Sequence, residues 1–316
     1  MSMSRRLRLG TRGSRLARWQ AEWVRDHLSA AGHEAELVEI STTGDALTDV
    51  PLSDLGASDS FTRQIDEALL GGRVDLAVHS LKDLPTTLPD GITLAAVSRR
   101  EDPRDALVGR GPLRLDQIPV GAVIATCSLR RRAQLLRARP DLTLVDIRGN
   151  IETRLAKLDQ NPVWTATILA VAGLARLGLS NRIGERLDPA LMLPAPGQGA
   201  LAVTARANDP SAGSAARQGI HHAATAVLVS AERAVLHHLD SGCHAPVAAL
   251  AQDGGTEGVH LFGRVLSLNG EQSVEANMTA PVGTDAEARA LGASLAEHLL
   301  ELGAAELLPR SESVES

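Results

Sequence analysis

The chain has 316 residues, 44% of them hydrophobic, and a formal net charge of −6. That length exceeds one ordinary core and points to two or three domains of roughly 100–150 residues each, and the acidic balance excludes a general polyanion binder. No apolar run reaches the roughly 18 residues of a membrane span. The basic opening runs into the polar stretch from Arg12 to Arg18 and has no apolar signal-peptide region, so the cytoplasm is the expected compartment. With Cys127 and Cys243 the only cysteines, no disulfide framework is expected.

The first third alternates strand and helix. Residues 7–10 read as a strand, Arg12-Gly-Ser14 as a loop, and 16–31 as a helix with Leu16, Trp19, Trp23 and Leu28 at helical spacing. A strand at 35–41 follows Gly32, then a helix at 61–70. The run Val74-Asp-Leu-Ala-Val78, bounded by Gly71-Gly72 and Pro85, reads as a buried strand, and 92–97 as another. This alternation predicts an α/β layer with a mostly parallel sheet.

The charged run Arg99-Arg-Glu-Asp-Pro-Arg-Asp105 breaks the pattern, which then restarts. Strands are expected at 123–126, 142–147 and 166–171, and helices at 129–139, with Ser128 as N-cap, and 151–158. A second break, Leu193-Pro-Ala-Pro-Gly-Gln-Gly199, precedes an apolar strand at 200–205. Two αβ lobes and two breaks suggest a hinged pair in which the chain crosses twice. The last hundred residues differ: a helix at 223–239, Ser241-Gly-Cys-His-Ala-Pro246, strands at 247–251 and 259–268, and an amphipathic helix at 285–302. The expected division is 1–98 with 200–217, then 104–194, then 222–310, with 311–316 a disordered tail. No internal repeat is visible.

Lys82 is one of two lysines in a chain with thirty arginines, and it stands beside an acid in His79-Ser-Leu-Lys-Asp-Leu-Pro85. It lies just past a strand's carboxyl end, where open α/β sheets place ligands; a surface ion pair is the plainer alternative. Arginines cluster at Arg130, Arg131, Arg132, Arg137, Arg139, Arg148 and Arg154. A chain with no Tyr, two Phe and three Trp offers few stacking platforms, which argues against single-stranded nucleic acid. A solvated helix face or a small ligand with several carboxylates remains, since Arg binds carboxylate bidentately.

Three loops bring arginine past a strand: Thr11-Arg-Gly-Ser14, Thr126-Cys-Ser-Leu-Arg-Arg131 and Arg148-Gly-Asn150. Together with Lys82-Asp83 they converge on a multi-anionic ligand between the lobes, with the helix opening at Ser128 as an anion seat. His221-His222, His237-His238 and Cys243-His244 match no metal-ligand spacing, so no metal is expected. Cys127 reads as a small buried residue.

Several segments follow one another in a familiar order. They are Thr11-Arg-Gly-Ser14, Val78-His-Ser-Leu-Lys-Asp-Leu-Pro85, Arg100-Glu-Asp-Pro-Arg-Asp-Ala106 and Ser128-Leu-Arg-Arg131. Further on come Arg148-Gly-Asn150, Leu169-Ala-Val-Ala-Gly-Leu174, Leu193-Pro-Ala-Pro-Gly-Gln-Gly-Ala200 and Gly242-Cys243. Along nearly its whole length the chain resembles the porphobilinogen deaminase family.

The resemblance implies two lobes similar to type II periplasmic binding proteins, joined by a double-crossing hinge, and a small C-terminal α/β domain. It implies a dipyrromethane cofactor held by a thioether to Cys243. The implied activity is a transferase that joins four porphobilinogen molecules head to tail on that primer, with loss of ammonia, and releases hydroxymethylbilane by hydrolysis. A monomer with no nucleic-acid or membrane partner is implied as well.

Residue by residue, the match assigns Arg12, Ser14, Arg148, Arg154 and Arg176 to the substrate's carboxylates, with Phe61 as an aromatic at the cleft. Lys82, Ser128, Arg130 and Arg131 fall to the cofactor's carboxylates. Asp83 falls to the cofactor and to catalysis: its charge would stabilise the cation left when ammonia departs, and it would move protons. Cys243 is an anchor and not a turnover nucleophile, because the thioether must survive every cycle.

Two departures stand out. Residues 44–60 contain no Lys or Arg and carry Asp45, Asp49, Asp54 and Asp59, where some family members have lysines at the positions of Asp54 and Ser58. Trp164-Thr-Ala166 stands where the family often has an acid. A two-lobed solute-binding protein is the rival reading, but it leaves Gly242-Cys243 in an appended domain without a role.

Overall fold

The computed structural model describes residues 6–41, 62–240 and 245–308. Phe61, the acidic segment 44–60, Cys243 and the tail 311–316 lie outside the described residues.

The chain opens with β1 (Leu7–Thr11), α1 (Arg15–Ala30) and β2 (Ala35–Glu39). Ser14 caps α1 by accepting from the Ala17 N–H at 3.3 Å, and Gln20, Ala21, Val24 and Leu28 form its buried stripe. Next come α2 (Arg63–Leu70), β3 (Leu76–Ser80) and β4 (Ile92–Val97). β3 starts and ends two residues later than its apolar run suggests, so Lys82 and Asp83 follow directly in a single 3₁₀ turn, Leu81–Asp83.

The second lobe holds β5 (Asp105–Val108), β6 (Val123–Ala125), α3 (Leu129–Ala138), β7 (Thr143–Val145), α4 (Ile151–Gln160), β8 (Trp164–Ala170), α5 (Val171–Arg176) and β9 (Glu185–Arg186). The chain then returns through β10 (Leu201–Arg206) and α6 (Pro210–Ile220). It ends with α7 (Ala223–His238), β11 (Val247–Asp253), β12 (Val259–Leu266), β13 (Ser273–Ala280) and α8 (Asp285–Glu301).

The first sheet has the order β2-β1-β3-β10-β4, with β1 parallel to β2 and β3 and with β10 antiparallel to both its neighbours. The second has the order β7-β6-β8-β5-β9, with β6 parallel to β7 and β8 and with β5 antiparallel to β8 and β9. Both lobes therefore share one plan. Three parallel strands are followed by an antiparallel strand that has just crossed from the other lobe, and then by an edge strand. The duplication lives in strand order, which is why no sequence repeat announces it.

Each lobe has its own core, around Leu9, Val24, Leu76 and Val203 in one and Leu107, Ile124, Leu135 and Ile168 in the other. In the third domain, α7 and α8 cover the antiparallel sheet β11-β12-β13, with Val235, Leu261 and Leu295 at the centre. Three strands escape the sequence reading, the shortest being the two-residue β9. β5 begins inside the charged break, with Asp105 fully buried. β13 alternates only modest apolar residues, Val274, Ala276, Met278 and Ala280, with polar ones.

In the first lobe, fully buried Asp75 staples β1 to β10. Arg8 donates to it at 2.9–3.0 Å and Arg206 at 3.2 Å. Burial alone would raise this carboxyl, but the bonds from Arg8 and Arg206 outweigh it and hold the group well below the usual carboxylate range. A carboxylate depressed on folding stabilises the fold above its unfolded pKa of about 4, and that contribution fades as pH falls toward the folded value. Urea midpoints are therefore expected to drop as pH falls below about 4, and Asp75→Asn is expected to flatten that drop.

Candidate active site

The loops that follow β1, β3, β6, β7 and β8 meet the second hinge crossing around one cavity of about 370 Å³. Six cationic side chains line it: Arg12, Lys82, Arg131, Arg148, Arg154 and Arg176. Among the described residues Asp83 is the one acid on that wall.

Lobe 1 supplies Arg12 just after β1, Ser14 at the head of α1, and Lys82 with Asp83 from the 3₁₀ turn. The half-buried Lys82 ammonium donates to Gln198 Oε1 at 3.0 Å. Burial, and then the charge of Arg131, pull its pKa down to about 8 against the support of Asp83 and Asp105. Asp83 is exposed to the cavity and makes no side-chain hydrogen bond or ion pair among the described residues. Its charge nevertheless favours the protonated forms of Lys82 and Arg154.

Lobe 2 supplies the other cations. Arg131 donates to Asp105 Oδ1 at 2.7 and 3.1 Å and to the Ile168 carbonyl at 2.9 Å. Arg148 has a buried Nη1 with no hydrogen-bond partner. It is presented by a turn at Gly149, whose φ of +112° and 2.6 Å approach of a would-be Cβ to Thr153 leave room for glycine alone. Arg154 donates through Nε to the Gly149 carbonyl at 2.7 Å, and burial pulls its guanidinium below the ordinary value. Arg176 donates to the Gly199 carbonyl at 2.6 Å and lies 5.9 Å from the Trp19 ring centroid; burial brings it down to about 10.

Two expected contacts are not among the residues lining the cavity. Arg130 does not line the cavity: it pairs with Asp105 at 2.8 Å and donates to the Leu193 carbonyl at 2.7 Å. Ser128 is likewise absent from the lining and caps α3, accepting from the Arg131 N–H. Cys127, expected in a core, is half-buried and faces the cavity. Of the paired histidines, His222 caps α7 by accepting from the Thr225 N–H at 3.2 Å.

Sequence reasoning missed three residues of this site. Gln20 lines the cavity from α1 and donates to Ser80 Oγ at 3.0 Å. Asp105 is the buried counter-ion of Arg130 and Arg131. Gln198 links Lys82 to Asp105. Asp105 and Gln198 both lay inside segments that carry the resemblance, and Asp105 was also the last acid before an apolar Ala-Leu-Val run.

The donors exceed the acceptors here, and one guanidinium nitrogen is buried without a partner. Such a wall is electrostatically suited to carboxylates. Fold and cavity together define a two-lobed α/β protein with a cation-lined cleft between the lobes.

The family model described as porphobilinogen deaminase, dipyromethane cofactor binding domain, matches residues 7–214, and the one for the C-terminal domain matches 226–301. The chain belongs to the porphobilinogen deaminase family. A porphobilinogen deaminase of Desulforudis audaxviator is 48% identical over 98% of each chain. One of Geobacter sulfurreducens is 47% identical over 96% of this chain and 94% of that protein. A looser structural likeness, with a TM-score of 0.44 at 14% identity, covers 67% of this chain and 87% of the methionine binding protein MetQ. The protein is thus a transferase of tetrapyrrole biosynthesis that polymerises porphobilinogen on a dipyrromethane cofactor.

Proposed function

We propose that the cavity is where porphobilinogen units are joined, and that Asp83 is the group on which the chemistry turns. The observation that carries this is one acid, unpartnered among the described residues, on a wall of six cations. Arg12, Arg148, Arg154 and Arg176, with Ser14, receive the acetate and propionate of the incoming unit. Each charge-assisted bond contributes about 1.5–3 kcal/mol. Lys82 and Arg131 hold the cofactor's carboxylates, and Ser128 and Arg130 keep Arg131 and the head of α3 in place. When bound, dipyrromethane supplies the nucleophilic pyrrole carbon that accepts the first unit. Asp83 accepts a hydrogen bond from the ring N–H of the incoming unit, stabilises the positive charge that develops as ammonia leaves, and takes up the ring proton afterwards.

Cys243 is the proposed anchor. α7, which precedes it, is bound to the turn carrying Lys82 and Asp83, because Arg233 donates to the carbonyls of Leu84 and Pro85 at 3.1 and 2.6 Å. Phe61 is proposed to flank the cleft. We also infer a cytoplasmic monomer, divided at 1–98 with 200–217, 104–194 and 222–310. Among the described residues no helix is long and apolar enough to cross a membrane.

Intact mass tests the anchor. Protein from cells able to make porphobilinogen is expected to exceed its sequence mass by a dipyrromethane adduct, and Cys243→Ala is expected to lack it. A wild-type protein at its bare sequence mass would overturn the assignment.

A further inference from the structure

Gln198 lies in the second hinge crossing with 1% of its surface exposed, yet it touches groups from both lobes. Its Oε1 accepts from Lys82 Nζ at 3.0 Å. Its Nε2 donates to the Pro103 carbonyl in the first crossing at 2.7 Å and to Asp105 Oδ1, at the start of β5, at 3.0 Å. That same carboxylate oxygen receives Arg131 at 2.7 Å. A primary amide carries its acceptor and its donors on separate atoms. One neutral side chain therefore links a cation of one lobe to an anion of the other, which neither Glu nor Lys could do without a like-charge clash.

The backbone on either side of this amide is fixed too. The Gly197 N–H donates to Glu232 Oε2 at 2.7 Å, and the Gln198 carbonyl accepts from Arg100 Nε at 2.9 Å. Gly199 has a φ of +95°, and a Cβ there would lie 2.5 Å from the Glu101 carbonyl oxygen of the other crossing. The side chain thus projects from a rigid base where the two crossings touch.

We propose that Gln198 is the positioning residue for Lys82: it holds the ammonium at the cavity wall and ties it through Asp105 to Arg131, so the cations from the two lobes are set as one unit. The catalytic consequence rests on the reading of Lys82 and Arg131 as carboxylate contacts; the link itself does not. Asp83 stands beside Lys82 on its own turn, and Asp105, Arg130 and Arg131 face it from the opposite lobe. Replacing the amide oxygen with carboxylate favours the charged ammonium, and removing it disfavours that form.

Only two lysines occur in the chain, Lys82 and Lys157. Holoenzyme grown on lysine labelled with ¹³C at Cε therefore gives two lysine resonances, assigned with Lys157→Arg, and Lys157 serves as an internal reference. The Lys82 resonance is expected to titrate near 8 in the wild type. It should move up by about one unit or more in Gln198→Glu and down in Gln198→Met, with Lys157 unmoved. In Gln198→Met, kcat is expected to fall about 10–100-fold, with KM changed less than about twofold and the adduct mass retained.

Identical Lys82 titrations in all three proteins would overturn the link, whatever the mass of the Cys243→Ala protein shows. A shifted titration with unchanged kcat would overturn the positioning role. If Gln198→Met fails to fold, the near-isosteric Gln198→Glu decides alone: its Lys82 titration must rise. Loss of the Cys243 adduct assignment alongside shifted titrations would leave the link standing and sink the carboxylate reading on its own.

Discussion

Asp83→Asn is expected to retain the dipyrromethane adduct and to release ammonia about 100–10,000-fold more slowly than the wild type. The substitution keeps size, shape and hydrogen-bonding capacity, so the cavity should still fill. What it removes is the one negative charge among six positive ones on the wall formed by the described residues. A cation developing on the substrate would then face five guanidinium groups and the Lys82 ammonium, with no carboxylate among the described lining residues to take up a ring proton. The same change withdraws a charge that supports protonation of Lys82, whose pKa is already down at about 8. The alkaline limb of the residual activity is therefore expected to move to lower pH. Single-turnover ammonia release with intact mass in parallel checks both parts, and near-normal turnover would remove Asp83 from the chemistry.

Glu232→Ala is expected to cost about 3–5 kcal/mol of stability, read from urea unfolding. Glu232 is fully buried and collects four donors. Arg100 approaches in bidentate fashion at 2.5 and 3.1 Å, the Gly197 N–H at 2.7 Å and the Ala251 N–H at 2.8 Å. One carboxylate of the third domain therefore holds both hinge crossings and its own sheet. Alanine leaves the Arg100 charge and two backbone N–H groups without partners in a dry interior. Because the two residues act as a pair, the double substitution Arg100→Leu with Glu232→Leu should cost less than the sum of the single ones. A loss below about 1 kcal/mol for Glu232→Ala would show that water satisfies those donors.

The parts of the fold legible from sequence were those whose periodicity is local. α1 shows its stripe, and the loops at Arg12, Lys82 and Arg148 could be placed because each follows a recognisable apolar run. β5 could not be placed: its first residue is a charged one, buried only because Arg130 and Arg131 arrive from a helix 25 residues or more further along.

The site shows the same divide. Adjacent arginines on α3 carry the same chemical signal, yet Arg131 reaches the cavity while Arg130 turns to the Leu193 carbonyl. Which of two neighbours faces a ligand depends on where the second crossing runs, and local pattern does not contain that. Gln198 was hidden for the opposite reason, since a glutamine between two glycines looks like any solvated turn.

The exchanged antiparallel strands also constrain how the molecule is born. Among the described strands β4 hydrogen-bonds to β10 alone, so the first sheet stays split until Arg206 has left the ribosome. The second sheet, by contrast, draws all its strands from one continuous stretch ending at Arg186. Synthesis runs from the N-terminus, yet the lobe made second is the one that can close first. The nascent first lobe must wait with an unpaired strand edge exposed, the interval in which a chaperone would have most to protect.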